Sequence, residues 1–155
     1  MKKLGVFLLM ILCLFMTGCG EDKTKEVATL DEFATIASNN NFVVTDNSSN
    51  YSTVSYINSS RKATYNNDTI EIEMIEYSDS KSAEKVLESH IESFNLLKST
   101  AAHEKDTKGD NYHKYFLVSN NMYMVSARVE NTLLFCKTNI NNKDTVDKIF
   151  NELGY

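Results

Sequence analysis

The sequence predicts an α+β fold: a largely antiparallel sheet of about six to seven strands with three helices packed on it. Three observations carry that expectation. Short β-branched and aromatic runs are joined by hairpin-length turns, two amphipathic helical stripes occupy the middle and the end of the chain, and no helical crossover follows each strand. A parallel doubly wound sheet would need those crossovers.

The elements follow in order. Thr29-Leu30-Asp31-Glu32 is a capping box, so a helix is expected to start there, with Leu30, Phe33, Ala34 and Ala37 on its apolar side. Asn39-Asn40-Asn41 stops it, because asparagine side chains compete for backbone groups and favour turns. Phe42 to Thr45 and Ser52 to Ile57 read as strands separated by Asp46-Asn47-Ser48-Ser49-Asn50. A hairpin then joins Lys62–Tyr65 to Thr69–Tyr77 through Asn66-Asn67-Asp68, residues that tolerate left-handed turn conformations. Ile70, Ile72 and Met74 alternate with Glu71 and Glu73, the pattern of a strand with one buried and one wet face.

Ser78-Asp79-Ser80 offers N-caps for the longest helix, whose stripe is Ala83, Leu87, Ile91, Phe94 and Leu97 with Val86 and His90 beside it. Glu84, Lys85, Glu88 and Glu92 fill the opposite side. Ser99 to Asn111 is polar, contains Gly109 and reads as a loop. Tyr112–Ser119, Met122–Val129 and Thr132–Thr138, joined by Asn120-Asn121 and Glu130-Asn131, make a three-stranded meander. Asn142 is expected to cap a last helix carrying Val146, Ile149, Phe150 and Leu153, closed by Gly154-Tyr155. The expected order is helix, four strands, helix, three strands, helix. That order resembles the Mog1/PsbP-like sandwich, and the resemblance implies the same layered fold.

The N-terminus carries a different signal. Lys2 and Lys3 precede an uncharged run from Leu4 to Met16, about 13 apolar residues, long enough for a signal-peptide core and short of the roughly 20 that span a bilayer. An ordinary secretory signal prefers small residues at the first and third positions before its cut, whereas here Met16-Thr17-Gly18 leads into Cys19. Met16-Thr17-Gly18-Cys19 resembles the lipobox of bacterial lipoproteins. The resemblance implies removal of residues 1–18, a diacylglyceryl group on the Cys19 thiol, and a protein held by palmitate-like chains on the extracytoplasmic face of the cell membrane. Two acyl chains bind durably where one binds marginally. Gly20 to Ala28 is polar and unpatterned, so residues 19–28 read as the lipidated N-terminus and a tether of about 30 Å at most. Residues 29–155 suit one domain.

Without Lys2 and Lys3, 14 basic residues face 21 acidic ones, a net charge of −7. Nucleic acid and anionic lipid headgroups are therefore poor partners, attachment falls to the lipid, and a charged ligand is expected to be cationic. Abundant asparagine, absent proline and tryptophan, and lysine in excess of arginine resemble the usage of AT-rich Gram-positive genomes.

Chemistry is sparsely marked, and no cofactor motif is present. Cys136 stands in an apolar strand and reads as a buried small hydrophobe. His103, Asp106, Asp110 and His113 are metal-binding residue types clustered in one segment, without ligand spacing and beside Lys105, Lys108 and Lys114. His90 flanks the long helix's apolar stripe and could pair with Glu88 or Glu92. Tyr56, Tyr65 and Tyr123 with Glu71 and Glu73 are the candidate interaction surface for an envelope protein or peptide. The expected function is a membrane-anchored, non-catalytic binding or interaction module. The alternatives are a small envelope enzyme or metal-binding protein using the His103–His113 segment, and a transporter's solute-binding subunit, for which one small lobe is scant.

Overall fold

The computed structural model describes residues 23–155 apart from Asn66 and Asp68, so the signal segment, the lipobox and Cys19 lie outside the described residues. Helix α1, Leu30–Asn39, begins at the expected capping box: the Thr29 hydroxyl accepts the Glu32 amide at 3.2 Å, and Glu32 accepts the Thr29 amide at 2.7 Å. Asn40 closes it, and Asn41 turns the chain at φ 66°, where asparagine is tolerated.

Next come β1 (Val43–Asp46), a 3₁₀ turn (Ser48–Tyr51), β2 (Ile57–Tyr65), β3 (Ile70–Tyr77) and α2 (Ser80–Asn95). They are followed by β4 (His103–Lys108), β5 (Tyr112–Ser119), β6 (Met122–Val129), β7 (Thr132–Asn139), a 3₁₀ turn (Ile140–Asn142) and α3 (Lys143–Glu152). The described strands form one seven-stranded sheet in the order β1-β2-β3-β7-β6-β5-β4, antiparallel throughout. The α+β class is thus the observed one. Two meanders meet where β3 pairs with β7, with Ile72 opposite Cys136.

The strands are distributed differently from the sequence expectation: three precede α2 and four follow it. Of the expected strand Ser52 to Ile57, only Ile57 is extended, as the first residue of β2. Val54 donates its amide to the Tyr51 carbonyl at 2.8 Å and Ile57 to the Val54 carbonyl at 3.1 Å, so successive turns coil this stretch, and the Tyr51 hydroxyl, donating to Glu73 at 2.9 Å, ties its start to the sheet. β2 then runs from Ile57, with a register shift against β3 between Ile57 and Ser59, and absorbs Lys62–Tyr65. The expected loop Ser99–Asn111 instead holds β4, which among the described residues pairs only with β5 and is largely exposed. A wet edge strand needs no apolar alternation, and its charges discourage further pairing. Asn142 does not cap α3 with its side chain, which donates to the Thr138 hydroxyl at 2.9 Å; Asn139 caps the preceding 3₁₀ turn instead. Leu97 lies past the end of α2 and is 42% exposed, outside the buried stripe.

The helices cover the two faces unequally. On one, Phe33 and Ala37 of α1 and Val146, Ile149 and Phe150 of α3 pack on Ala63, Ile72, Met74, Leu134 and Cys136. On the other, Ala83 and Leu87 of α2 meet Ile75, Tyr77 and Leu133, while Phe94 meets Tyr115, Leu117 and Met124. Each fully buried large side chain contributes about 1.5–3 kcal/mol. Seven strands spaced about 4.8 Å apart are roughly 29 Å wide, whereas two helices cover roughly 20 Å. The α1–α3 pair therefore leaves the β4–β5 edge open on its side.

The expected tether is fixed from Lys23 onward. Asp110 donates its amide to the Lys23 carbonyl at 2.7 Å, and the Asn111 side-chain amide clamps Lys25 by accepting its N–H at 2.9 Å and donating to its carbonyl at 2.8 Å. Ala28 is buried. A Cβ on Gly109 would lie 2.1 Å from the Tyr112 ring and 2.8 Å from the Lys23 carbonyl, so only glycine admits this docking.

Candidate functional site

A pocket of about 330 Å³ forms where the open edge of the sheet meets the docked N-terminal segment and the outer side of α3. Strand periodicity supplies its floor: Lys105 and Thr107 from β4, Tyr112, Lys114 and Phe116 from β5, and Tyr123 from β6. Asp147 and Asn151 of α3, Tyr155 and Lys25 supply its walls.

Charge and aromatic groups alternate around it. Lys114 is half-buried; its ammonium donates to the backbone oxygen of Tyr155 at 3.1 Å and stands 5.3 Å from the centre of the Phe150 ring. Lys25 donates to the Gly154 carbonyl at 2.7 Å and lies 4.9 Å over the Tyr112 ring. Lys143, just outside, pairs with Asp147 and sits 5.3 Å over Tyr123. The Tyr123 hydroxyl donates to Asp147; burial first, then that bond and the carboxylate's charge, raises its pKa. Burial, seconded by the charges of Lys25, Lys143 and Lys105, pushes Lys114 down to about 8, against the opposing pull of Asp147.

A larger cleft of about 760 Å³ adjoins this pocket and shares Lys25, Asn151 and Tyr155 with it. It is lined by Glu26, Glu32 and Glu152. Glu32 is committed to the α1 cap, and Glu152 to Asn40 and Lys148, so those carboxylates serve the fold.

The opposite face of the same edge holds an ion network under α2. Arg128 Nε stands 2.5 Å from Glu84 Oε2 without hydrogen-bond alignment, while Arg128 Nη1 donates to the Glu130 carbonyl at 3.0 Å. His113 lies between Asp106 at 2.8 Å and Glu84 at 3.5 Å. Burial would raise the Glu84 pKa, but Arg128 and Lys108 outweigh it and hold the carboxyl below its usual range. The network fastens α2 to β5 and β6.

The candidates read from the sequence are dispersed. His103 and His113 do not meet, because β4 and β5 place them on opposite faces: His103 contacts the Phe116 ring at 5.6 Å, while His113 faces Glu84. Asp106 is taken by His113, and Asp110 is exposed in the turn that holds Lys23. No group of three potential metal ligands occurs among the described residues. The tyrosine–glutamate surface also separates. Tyr56 stacks on Tyr77 at 6.4 Å, Tyr65 packs on Phe42 at 5.1 Å, and Tyr123 is buried on the floor of the pocket. Glu71 pairs with Lys62 at 3.7 Å, and Glu73 is a hub that accepts from Tyr51, Asn47 and Ser60. Such a hub braces the 3₁₀ turn and presents no open surface. His90 pairs with neither Glu88 nor Glu92; its ring meets the Ser126 hydroxyl at 3.0 Å, and burial lowers its pKa. Cys136 is buried as expected, which pushes its thiol up to about 12.

Sequence reasoning missed Lys25, Lys105 and Lys114. A signal was available: Lys114 falls between Tyr112 and Phe116 at the same parity of a strand apolar on both faces, where a charge needs an explanation.

No protein-family model and no curated protein matches the chain. Among solved structures it is similar to a GTP binding regulator from Thermotoga maritima, with 16% identity, a TM-score of 0.48, and coverage of 84% of this chain and 90% of that one. Likeness at that level carries no argument about activity.

Proposed function

We propose that this chain is a membrane-anchored extracytoplasmic lipoprotein whose domain is a non-catalytic binding module, and that the lysine- and tyrosine-lined pocket is where it binds. The observation that carries the binding reading is convergence: three strands, one helix and the N-terminal segment each contribute a polar or aromatic side chain to one concavity. The anchoring reading is supported by Met16-Thr17-Gly18-Cys19. Because the chain is fixed from Lys23, Cys19 precedes the docked segment by four residues, a reach of about 14 Å. The pocket wall at Lys25 would then work close to the membrane surface.

Cell fractionation of the wild type and of Cys19→Ala tests the anchor. The wild type should sediment with membranes and carry a diacylglyceryl mass on Cys19, and the variant should be released. A variant that stays membrane-bound and fully processed would refute it. Chemical-shift mapping with small ligands tests the pocket: the largest shifts should fall on Tyr112, Lys114, Phe116 and Tyr123, and ligand shifts confined elsewhere would refute it.

A further inference from the structure

We infer that the domain meets the bilayer end-on, with one end of the sheet at the lipid headgroups: the Gly109–Asn111 and Glu130-Asn131 turns, the end of β3 at Tyr77-Ser78, and Tyr56. The inference rests on the anchoring reading above and adds the surface that faces the membrane. Its first support is where the chain enters the fold. The Lys23 carbonyl accepts the Asp110 amide at 2.7 Å, and the Asn111 side chain holds both backbone groups of Lys25. Lys23 follows Cys19 by four residues, so a lipid on that thiol keeps Lys23 within about 14 Å of it. From Lys23 onward the segment is bonded to the turn at the end of β4 and β5.

The second support is that this turn belongs to one continuous end of the sheet. The Glu130 amide donates to the Asn111 carbonyl at 2.9 Å, the Tyr77 amide to the Asn131 carbonyl at 2.8 Å, and the Ser78 amide to the Tyr56 carbonyl at 3.0 Å. These bonds join the ends of β5, β6, β7, β3 and β2 in a row roughly 20 Å wide. The Asn120-Asn121 turn lies at the other end of β5 and β6, about 27 Å away along eight-residue strands.

The third support is surface chemistry. Asp79, Asp110 and Glu130 at this end are matched by Lys23, Lys81 and Lys108, a formal balance of zero. Residues 23–155 together carry 14 basic and 19 acidic side chains, so the net charge of −5 lies on the other surfaces, which anionic headgroups repel more strongly. Tyr56, 46% exposed and stacked on Tyr77, brings an aromatic ring with a polar tip, a side chain suited to headgroup level.

The test uses isotope-labelled residues 19–155 joined through the Cys19 thiol to a maleimide-headgroup phospholipid. The nanodiscs are of phosphatidylcholine and phosphatidylglycerol with a gadolinium-chelate lipid added. Buried Cys136 stays out of the coupling. Amide signals should be lost at Lys23, Tyr56, Ser78 and Glu130 and retained at Leu96, Asn120 and Asn121. Tyr56→Asp should restore the signals of Ile57 and Ser78 while Lys23 stays quenched. Asn111→Ala, which removes the Lys25 clamp, should spread the loss onto other surfaces.

Loss confined to Lys23–Glu26 overturns the end-on contact, as does equal loss at Glu88 and Glu92 of α2, along β4, or at Asn120-Asn121. Signals at Ile57 and Ser78 that stay lost in Tyr56→Asp overturn the part given to Tyr56, and an unchanged pattern in Asn111→Ala overturns docking as the cause. Because the coupling is chemical, this outcome is separate from lipidation in cells: membrane-bound, fully processed Cys19→Ala refutes the anchor whichever surface faces the nanodisc.

Discussion

Lys114 holds its charge inside a half-buried site among three other lysines, and its ammonium is pushed down to about 8 from the 10.5 of an unperturbed lysine. The unfolded chain keeps that proton up to about pH 10.5, whereas the folded chain gives it up from about pH 8. Between those values the unfolded state binds more protons, so the Lys114 contribution to stability rises with pH; below pH 8 both states are protonated and it is flat. Integrating the linkage relation from pH 7 to 9.5 gives about 2 kcal/mol. Lys114→Met removes the titration while keeping an unbranched side chain of similar length. Urea unfolding of both proteins at pH 7 and 9.5 should therefore show the wild type gaining about 2 kcal/mol relative to the variant over that interval. At pH 7 the variant should be the more stable by about 1 kcal/mol, the relieved burial of charge exceeding the lost bond to Tyr155 and the ring contact with Phe150. Parallel pH responses, or a steeper rise in the variant, would refute the claim that the pocket holds a charge at the expense of the fold.

Other sites give sharper structural readouts. Arg128→Met leaves Glu84 half-buried beside Lys108 and His113 and should cost about 3 kcal/mol in urea unfolding, whereas adding Glu84→Leu should recover part of that loss; a double variant worse than the sum of the singles would count against the ion network. Gly109→Ala sets a methyl group against the Tyr112 ring and the Lys23 carbonyl, and should raise amide exchange across residues 23–28 while leaving β6 and β7 protected. Unchanged exchange in that segment would mean that the docking does not depend on Gly109. Cys136, with its thiol pushed up to about 12 by burial, should resist a thiol reagent at pH 8 in the folded protein and react at once in urea.

Elements whose signal is local were legible in sequence. The Thr29–Glu32 capping box, the Asp79 cap of α2, and the Asn120-Asn121 turn all rest on bonds or backbone preferences within a few residues, and each formed as read. The meander from Tyr112 was equally clear because its turns are two residues long. β4 was not legible, since a strand paired on one side and wet on both faces loses the alternation by which strands are recognised. Ser52–Ile57 misled for the opposite reason: its composition suits a strand, but Glu73, over twenty residues away from Tyr51, ties the neighbouring turn into a coil. The pairing of Asn111 with Lys25 spans 86 positions, so the polar stretch before Thr29 gave no local sign of being docked.

By itself the sequence determined the α+β class, the helix caps and most of the buried stripes, because periodicity and capping are properties of neighbouring residues. Only the tertiary structure decided which side chains meet in the pocket. Net charge is a sum over the whole chain, while the lining of one concavity is set by the few groups that a particular register, an incompletely covered sheet and a docked segment bring together. In this fold those groups are lysines and tyrosines, drawn from residues 25, 105, 112, 114 and 123.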